Sequence, residues 1–242
     1  MSIIVDAYAW LTAAERWSGA NGIPARTLEH IELTVVAMVI ALVIAVPPAL
    51  YLAHRRRGEF LASAVVNLGR AIPSFGIVVL AALLFLTWGF GVSFWAIIVA
   101  LVALALPPIF TNTYAGVRSV DANTVEAARG MGLTEREVLL DVELPMAAPI
   151  ILAGIRIALV QVIATVPLGA IVGPGGGLGR YVVDGFALGP TGYARVFGGA
   201  ILIAVLTLLA ERAFTLGERA ALPSGVQRLV RTEDVAETAP AA

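Results

Sequence analysis

Side chains able to carry chemistry are scarce in this sequence, and their spacing excludes more than it offers. There is no cysteine, which removes thiol nucleophiles, disulfides and thiolate metal sites. The two histidines, His30 and His54, stand far apart in the chain, so a histidine-based metal centre lacks its usual spacing. All 16 basic residues are arginine. A phosphate-binding P-loop needs a lysine to reach the phosphates, so the chain does not hydrolyse ATP by that route. No cluster of His, Asp, Glu or Cys supplies catalytic chemistry, and no catalytic residue or metal ligand is assigned. The glycine run around Gly175, Gly176, Gly177 and Gly179 would need a third glycine at position 180 to read as a dinucleotide loop, and Arg180 stands there. Sixteen basic against 17 acidic residues give a net charge of −1, which offers nucleic acid no basic surface.

One polar segment does have a patterned chemistry. Asp121 is placed to cap a helix over 122–129, and Gly130 and Gly132 flank Met131 where that helix must end. Thr134-Glu135-Arg136-Glu137 then spells the capping box of a second helix, which Pro145 is expected to separate from the next apolar span. A helix, a glycine hinge and a second helix make a unit rigid enough to transmit a push. Gly132 permits either a close approach or a sharp turn that a side chain would block.

The rest of the chain must hold that unit against something apolar. The sequence is 59% hydrophobic and 14% charged, with a mean hydropathy of +0.90, whereas soluble chains are about a quarter charged. Residues 33–53 and 71–117 carry no charged side chain, and a bilayer crossing needs about 20 apolar residues. The pattern predicts an all-α polytopic membrane protein with about five crossings, at 31–53, 60–88, 94–113, 146–172 and 193–216. Residues 1–28 are expected outside, either as an ordered or interfacial leader with Trp10 and Trp17 on one helical face or as a loose polar terminus. A transmembrane domain is expected over 29–217, its polar loop over 118–145, and a disordered tail over 218–242.

Pro47 and Pro48 predict a kink in the first crossing, and Arg70 with Pro73 a break in the second. Tyr51, Trp88 and Trp95 read as interface anchors. Ten arginines fall in segments proposed as cytoplasmic and four in segments proposed as external, which favours the N-terminus outside and the C-terminus inside.

Glu126-Ala127-Ala128, then Gly132, then Val142-Glu143-Leu144-Pro145 resembles the EAA loop of binding-protein-dependent ABC transporter permeases, with Val142 where Ile is commonest. In that family the loop docks in a groove of the ATP-hydrolysing subunit, and the resemblance implies the same here. It extends over about 30–216. Gly69-Arg70-Ala71-Ile72-Pro73-Ser74, the stretch from Asn112 to Val117, and Gly175 to Tyr181 look most like the osmoprotectant branch, which serves glycine betaine, choline, carnitine or proline betaine. Methionine-type importers share the five-span plan and a similar Gly-Gly-Leu-Gly segment, so methionine or another amino-acid-like solute is the alternative cargo.

The resemblance implies ABC ATPase subunits that bind ATP and Mg, so that this chain needs no cofactor of its own. It also implies an extracytoplasmic substrate-binding protein, a second permease copy or homologue, and a multi-pass place in the cytoplasmic membrane of a bacterium or archaeon. A non-ABC carrier would instead need paired intramembrane acids or histidines for ion coupling, and only Glu32, at an outer edge, is acidic within the first four cores.

Charges inside a membrane are costly and default to functional readings. Arg70 either lines the translocation path or pins the broken second span, and Arg156 is expected near mid-span facing the dimer or bundle interior. Glu29 and Glu32 read as carboxylates at a helix N-terminus. Gly175, Gly176, Gly177 and Gly179 read as an outer gate or re-entrant bend, with a plain loop as the alternative.

Overall fold

The computed structural model describes residues 3–71, 73–92 and 94–221, and the regular structure among them is helical. The expected disordered tail falls almost wholly outside these residues. A leader helix, α1 (Ile3–Thr12), and a 3-10 turn (Ala14–Trp17) precede the long α2 (Ile23–His54). Then come α3 (Glu59–Ala71), α4 (Ser74–Thr87) and α5 (Phe94–Arg118). The polar segment forms α6 (Ala122–Gly130) and α7 (Glu135–Glu137), which runs through a π turn (Val138–Glu143) into α8 (Leu144–Thr165). After a 3-10 turn (Val166–Leu168) come α9 (Gly169–Val172), α10 (Gly179–Ala187), a 3-10 turn (Gly189–Gly192) and α11 (Tyr193–Ala221).

Four helical stretches, Ile23–His54, Phe94–Arg118, Glu135–Val172 and Gly189–Glu218, are long and apolar enough to cross a membrane. The second expected crossing is two half-helices instead. α3 ends at Ala71 and α4 begins at Ser74, with Pro73 extended between them at φ −60°, ψ 131°. Proline both lacks the helical donor and bars its predecessor from helical angles, which is the break its position predicts. Pro47 and Pro48 leave α2 in one piece, as Pro107 and Pro108 leave α5.

α5 is the centre of the bundle, with α2 and α8 packed along it and α3 and α4 against it. The buried positions of α2 include Leu33, Ala37, Ala41, Ala45, Ala49 and Ala53, none of these six more than 2% exposed. A step of four keeps them on one stripe, and small side chains on that stripe let two helix backbones approach closely. From the other side Gly154 of α8 fits against α5, where a Cβ would stand 2.8 Å from the Pro108 carbonyl oxygen. Val35, Val39 and Val43 of α2 and Leu208 and Leu209 of α11 face outward and give the bundle its apolar coat.

Three expectations are corrected. Pro145 does not divide the loop from the next crossing: the helix is continuous from Glu135 to Thr165. The π turn directly precedes the proline, and the Leu144 amide donates to the Leu139 carbonyl five residues back. The widened turn makes room for a ring that would otherwise press on the carbonyl four residues earlier. Trp10 and Trp17 do not share a helical face, because α1 stops at Thr12 and the Trp17 indole N–H donates to the Leu11 carbonyl at 2.8 Å. The leader docks on the bundle: α1 packs along α11, and Trp10 meets Tyr181 edge-on at 5.1 Å. Glu29 and Glu32 are not at a helix N-terminus, since α2 begins at Ile23, and Glu29 is paired with Arg26 at 2.7 Å.

Replacing Gly154 with leucine should force α8 away from Pro108 and Asn112. The expected loss is roughly 1–3 kcal/mol, read as a lower midpoint of thermal unfolding in detergent, whereas Val35→Leu on the outward face should leave the midpoint unchanged.

Candidate functional site

The polar segment between α5 and α8 is built by its caps. Asp121 accepts from the Asn123 amide at 3.2 Å and starts α6. Thr134 and Glu137 exchange both bonds of a capping box and start α7, the Glu137 carboxylate accepting from the Thr134 amide at 2.7 Å. These donors hold the Glu137 carboxyl below the usual carboxylate range. Gly132 carries the turn between the two helices at φ +92°, a region that β-carbons disfavour. No atom of the chain beyond its neighbours lies within 4 Å of where its Cβ would be, so the turn and not a close approach within the chain calls for glycine.

The motif splits by face. Val125 and Ala128 are buried against the bundle, while Glu126, Ala127 and Gly130 face out and Met131 is 76% exposed at the tip. Val142 and Leu144 pack on the main core, with Pro145 half-buried beside them. The result is a short projecting helix with an acidic and apolar outer surface, held from beneath by its own valine and alanine.

Four side chains brace this projection. His54, at the end of α2, has Nδ1 at 2.5 Å from Glu143 in the π turn and Nε2 at 3.0 Å from Glu135 of α7. Glu135 in turn accepts from Arg129 Nε at 2.8 Å and an Arg129 terminal nitrogen at 2.9 Å. That guanidinium holds the Glu135 carboxyl below its ordinary range. Arg118, at the end of α5, reaches Glu59 at the start of α3 at 3.0 Å. Sequence reasoning weighed His54 as a metal ligand and found it too far from His30 along the chain. Its partners lie 81 and 89 positions away, and no local pattern points to them.

The opposite end is also charged but closed over. Arg180 donates to the carbonyls of Ala170 and Gly173 at 2.9 and 3.1 Å, and shares Asp184 with Arg195, whose own contact is 2.7 Å. With Glu15, Arg16, Asn21, Arg26 and Tyr181 these residues line a polar cavity of about 490 Å³. The glycine run is a tightly packed bend. Beta-carbons at Gly175 and Gly177 would come within 2.9 Å of Ile97 and 2.6 Å of His30. Gly176 has φ +98°, and a Cβ at Gly179 would stand 2.8 Å from the Pro167 carbonyl oxygen.

His30 itself is fully buried and joins α2 to α8 through Nε2 and the Ile163 carbonyl at 3.0 Å, a contact the sequence does not announce. Arg156 lies between α8 and α11, paired with Glu218 and over the Phe214 ring at 5.9 Å. Pro73 is exposed at the break in the second crossing, and the Arg70 side chain lies outside the described residues.

The family model for the binding-protein-dependent transport system inner membrane component matches residues 31–221. The chain belongs to that family. This inner membrane component is 36% identical over 204 residues to the choline transport system permease protein OpuBB of Bacillus subtilis (strain 168), covering 84% of this chain and 90% of that one. It is 35% identical over 193 residues to the carnitine transport permease protein OpuCB of Listeria monocytogenes, covering 80% and 84%.

Among solved structures it is similar to a chain of the inward-facing MetNI methionine ABC transporter, with a TM-score of 0.71 and 25% identity, covering 83% of this chain and 96% of that one. The inner membrane component is thus a multi-pass membrane protein whose relatives are permease components of ABC transporters.

Gly130 and Gly132 bracket the tip but differ in conformation, which separates their roles. Gly130→Ala should be neutral or stabilise the loop by a few tenths to about 1 kcal/mol, whereas Gly132→Ala should cost about 1–2 kcal/mol for left-handed backbone. Limited trypsin cleavage after Arg129 and Arg136 reads the difference: faster for Gly132→Ala, unchanged or slower for Gly130→Ala.

Proposed function

We propose that this chain is the membrane-spanning permease subunit of an ATP-driven importer for a small quaternary-ammonium osmoprotectant of the choline, carnitine and glycine betaine class. The observation that carries the reading is 36% identity to a choline permease over 84% of the chain, a span that includes the projecting loop. Methionine, the cargo named for the structural neighbour, is the second reading, favoured by the TM-score of 0.71 and weakened by identity of only 25%.

In this reading the loop is the lever, on the cytoplasmic side that the arginine count favours. Glu126, Ala127, Gly130 and Met131 meet the ATPase, and Gly132 keeps the turn tight. The helix from Glu135 to Thr165 is roughly 45 Å long at about 1.5 Å per residue. A push at the tip therefore travels as rigid-body motion to Thr165 without a joint at Pro145. Val142, Leu144 and Pro145 seat the base of the lever on the bundle.

A second permease subunit, identical or homologous, completes the pathway, and an extracytoplasmic binding protein delivers cargo to the end that holds Arg180 and Asp184. Gly175, Gly176, Gly177 and Gly179 serve as a packed re-entrant bend at that end. Arg70 and Pro73 lie where the second crossing breaks, and Arg156 ties α8 to α11. ATP and Mg belong to the partner ATPase.

Affinity purification of the chain from its own membranes in mild detergent tests the partnership. A P-loop ATPase should accompany the native chain and be lost with Glu126→Arg; a chain that emerges alone under crosslinking would overturn the assignment. Reconstituted with its partners, the complex should take up one of choline, carnitine or glycine betaine, and uptake of methionine alone would move the second reading to first place. Gly132→Asp adds a charge beside Glu126 at the tip and should abolish uptake while the spans stay folded; normal uptake by that variant would defeat the lever.

A further inference from the structure

His54 makes more bonds than a neutral imidazole can. Nδ1 lies 2.5 Å from one Glu143 oxygen and Nε2 3.0 Å from one Glu135 oxygen. An ionised carboxylate only accepts hydrogen bonds, and a neutral imidazole has one N–H and one bare lone pair. A neutral ring would therefore turn a lone pair toward one of the two carboxylates. A doubly protonated ring satisfies both. His54 is 8% exposed and Glu143 3% exposed, so water is poorly placed to substitute for a missing proton on that side.

The three bonded groups join α2 to the start of the helix that runs from Glu135 to Thr165. His54 ends α2, Glu143 lies in the π turn that feeds α8, and Glu135 opens α7 and carries Arg129 of α6 with it. α2 and α8 are the two helices that flank α5, so the ring ties the lever, which already continues into α8, to α2 as well.

Resting on the reading of the chain as an ABC permease, we propose that the His54 imidazolium is the positioning residue that engages the coupling loop with the bundle, and that loss of its second proton disengages it. With both protons the ring fixes Glu135 and Glu143 together, and displacement of α6 reaches α2 and α8 at once. With one proton the ring holds a single carboxylate, and α6, which Arg129 ties to Glu135, is no longer fastened to α2 through the ring. Glu135 and Glu143 contact the ring, and the other charged groups on the elements that meet there are Arg136 and Glu137 of α7, Asp141 of the π turn, Glu126 and Arg129 of α6, and Arg55, Arg56 and Arg57 after α2. Engagement requires both protons on the ring and both carboxylates ionised, and a pH series across the imidazole range tests for its loss.

Two measurements test this, and each decides alone. On the full-length chain in detergent, trypsin cleavage after Arg129 is compared at each pH with that of His54→Lys, whose cation persists. The native loop should become relatively more sensitive as pH rises from about 5.5 to about 8.5, the span over which imidazoles titrate. Glu135→Gln, which needs no second proton on the ring, should show no such rise. A native profile parallel to that of His54→Lys overturns the protonation claim whatever the chain transports.

In proteoliposomes of the assembled complex, glycine betaine uptake per ATP hydrolysed should fall with pH for the native chain and stay flat for His54→Lys. For His54→Gln it should be lower by about tenfold at every pH, as expected for loss of a charged hydrogen bond. A His54→Gln complex with native ratio and native pH profile overturns the coupling claim. A native chain that brings down no ATPase defeats the permease reading and the coupling claim with it, while the cleavage profile still decides the protonation of His54.

Discussion

In lipid two helices gain little from burying apolar surface against each other, because the solvent they leave is equally apolar. What remains is how closely their backbones approach. The bundle depends on that constraint. The alanine stripe from Ala37 to Ala53 brings α2 onto α5, and Gly154 does the same for α8. α5 is held between two close-packed partners, and those partners carry the two attachments of the loop: His54 at the end of α2 and the unbroken helix into α8. The tightness of the contacts makes the three helices one body, and the loop is fastened to it at both points.

Among the ion pairs of the described residues, one lies between helices of this apolar body and the others lie at its ends. Arg156 and Glu218 neutralise each other between α8 and α11, which removes the cost of an isolated cation in lipid. The remaining clusters separate cleanly, with Glu59, Arg118, Arg129, Glu135 and Glu143 at one end and Arg26, Arg180, Asp184 and Arg195 at the other. At the second end Asp184 serves two arginines, and backbone carbonyls take up part of the Arg180 charge, so the bend of glycines is closed by ion pairs as well as by packing.

Much of this was legible in the sequence because its signals are local. The caps at Asp121 and Thr134, the turn at Gly132 and the break at Pro73 each follow from a few neighbouring residues, and all four stand in the structure as read. The alanine stripe was not legible, because in an alanine-rich apolar helix every face looks alike until a neighbour selects one. His30 and His54 were missed for a related reason: their partners lie 133, 81 and 89 positions away, beyond any pattern that spacing can show. Pro145 misled because proline usually ends a helix, and here a π turn absorbs it. Trp10 and Trp17 misled because a periodic pair says nothing about whether the helix between them continues.

The π turn has a geometric consequence of its own. It spends one more residue per turn than an α-helix, so it rotates everything after it by about 100° about the axis relative to an unbroken α-helix. The face that α8 turns toward α5, with Ala147, Ile151, Gly154, Ala158 and Val162, therefore has its azimuth set in the segment where Glu143 meets His54. The angular phase of α8 is fixed before its own first residue, in the same few residues that fasten the loop.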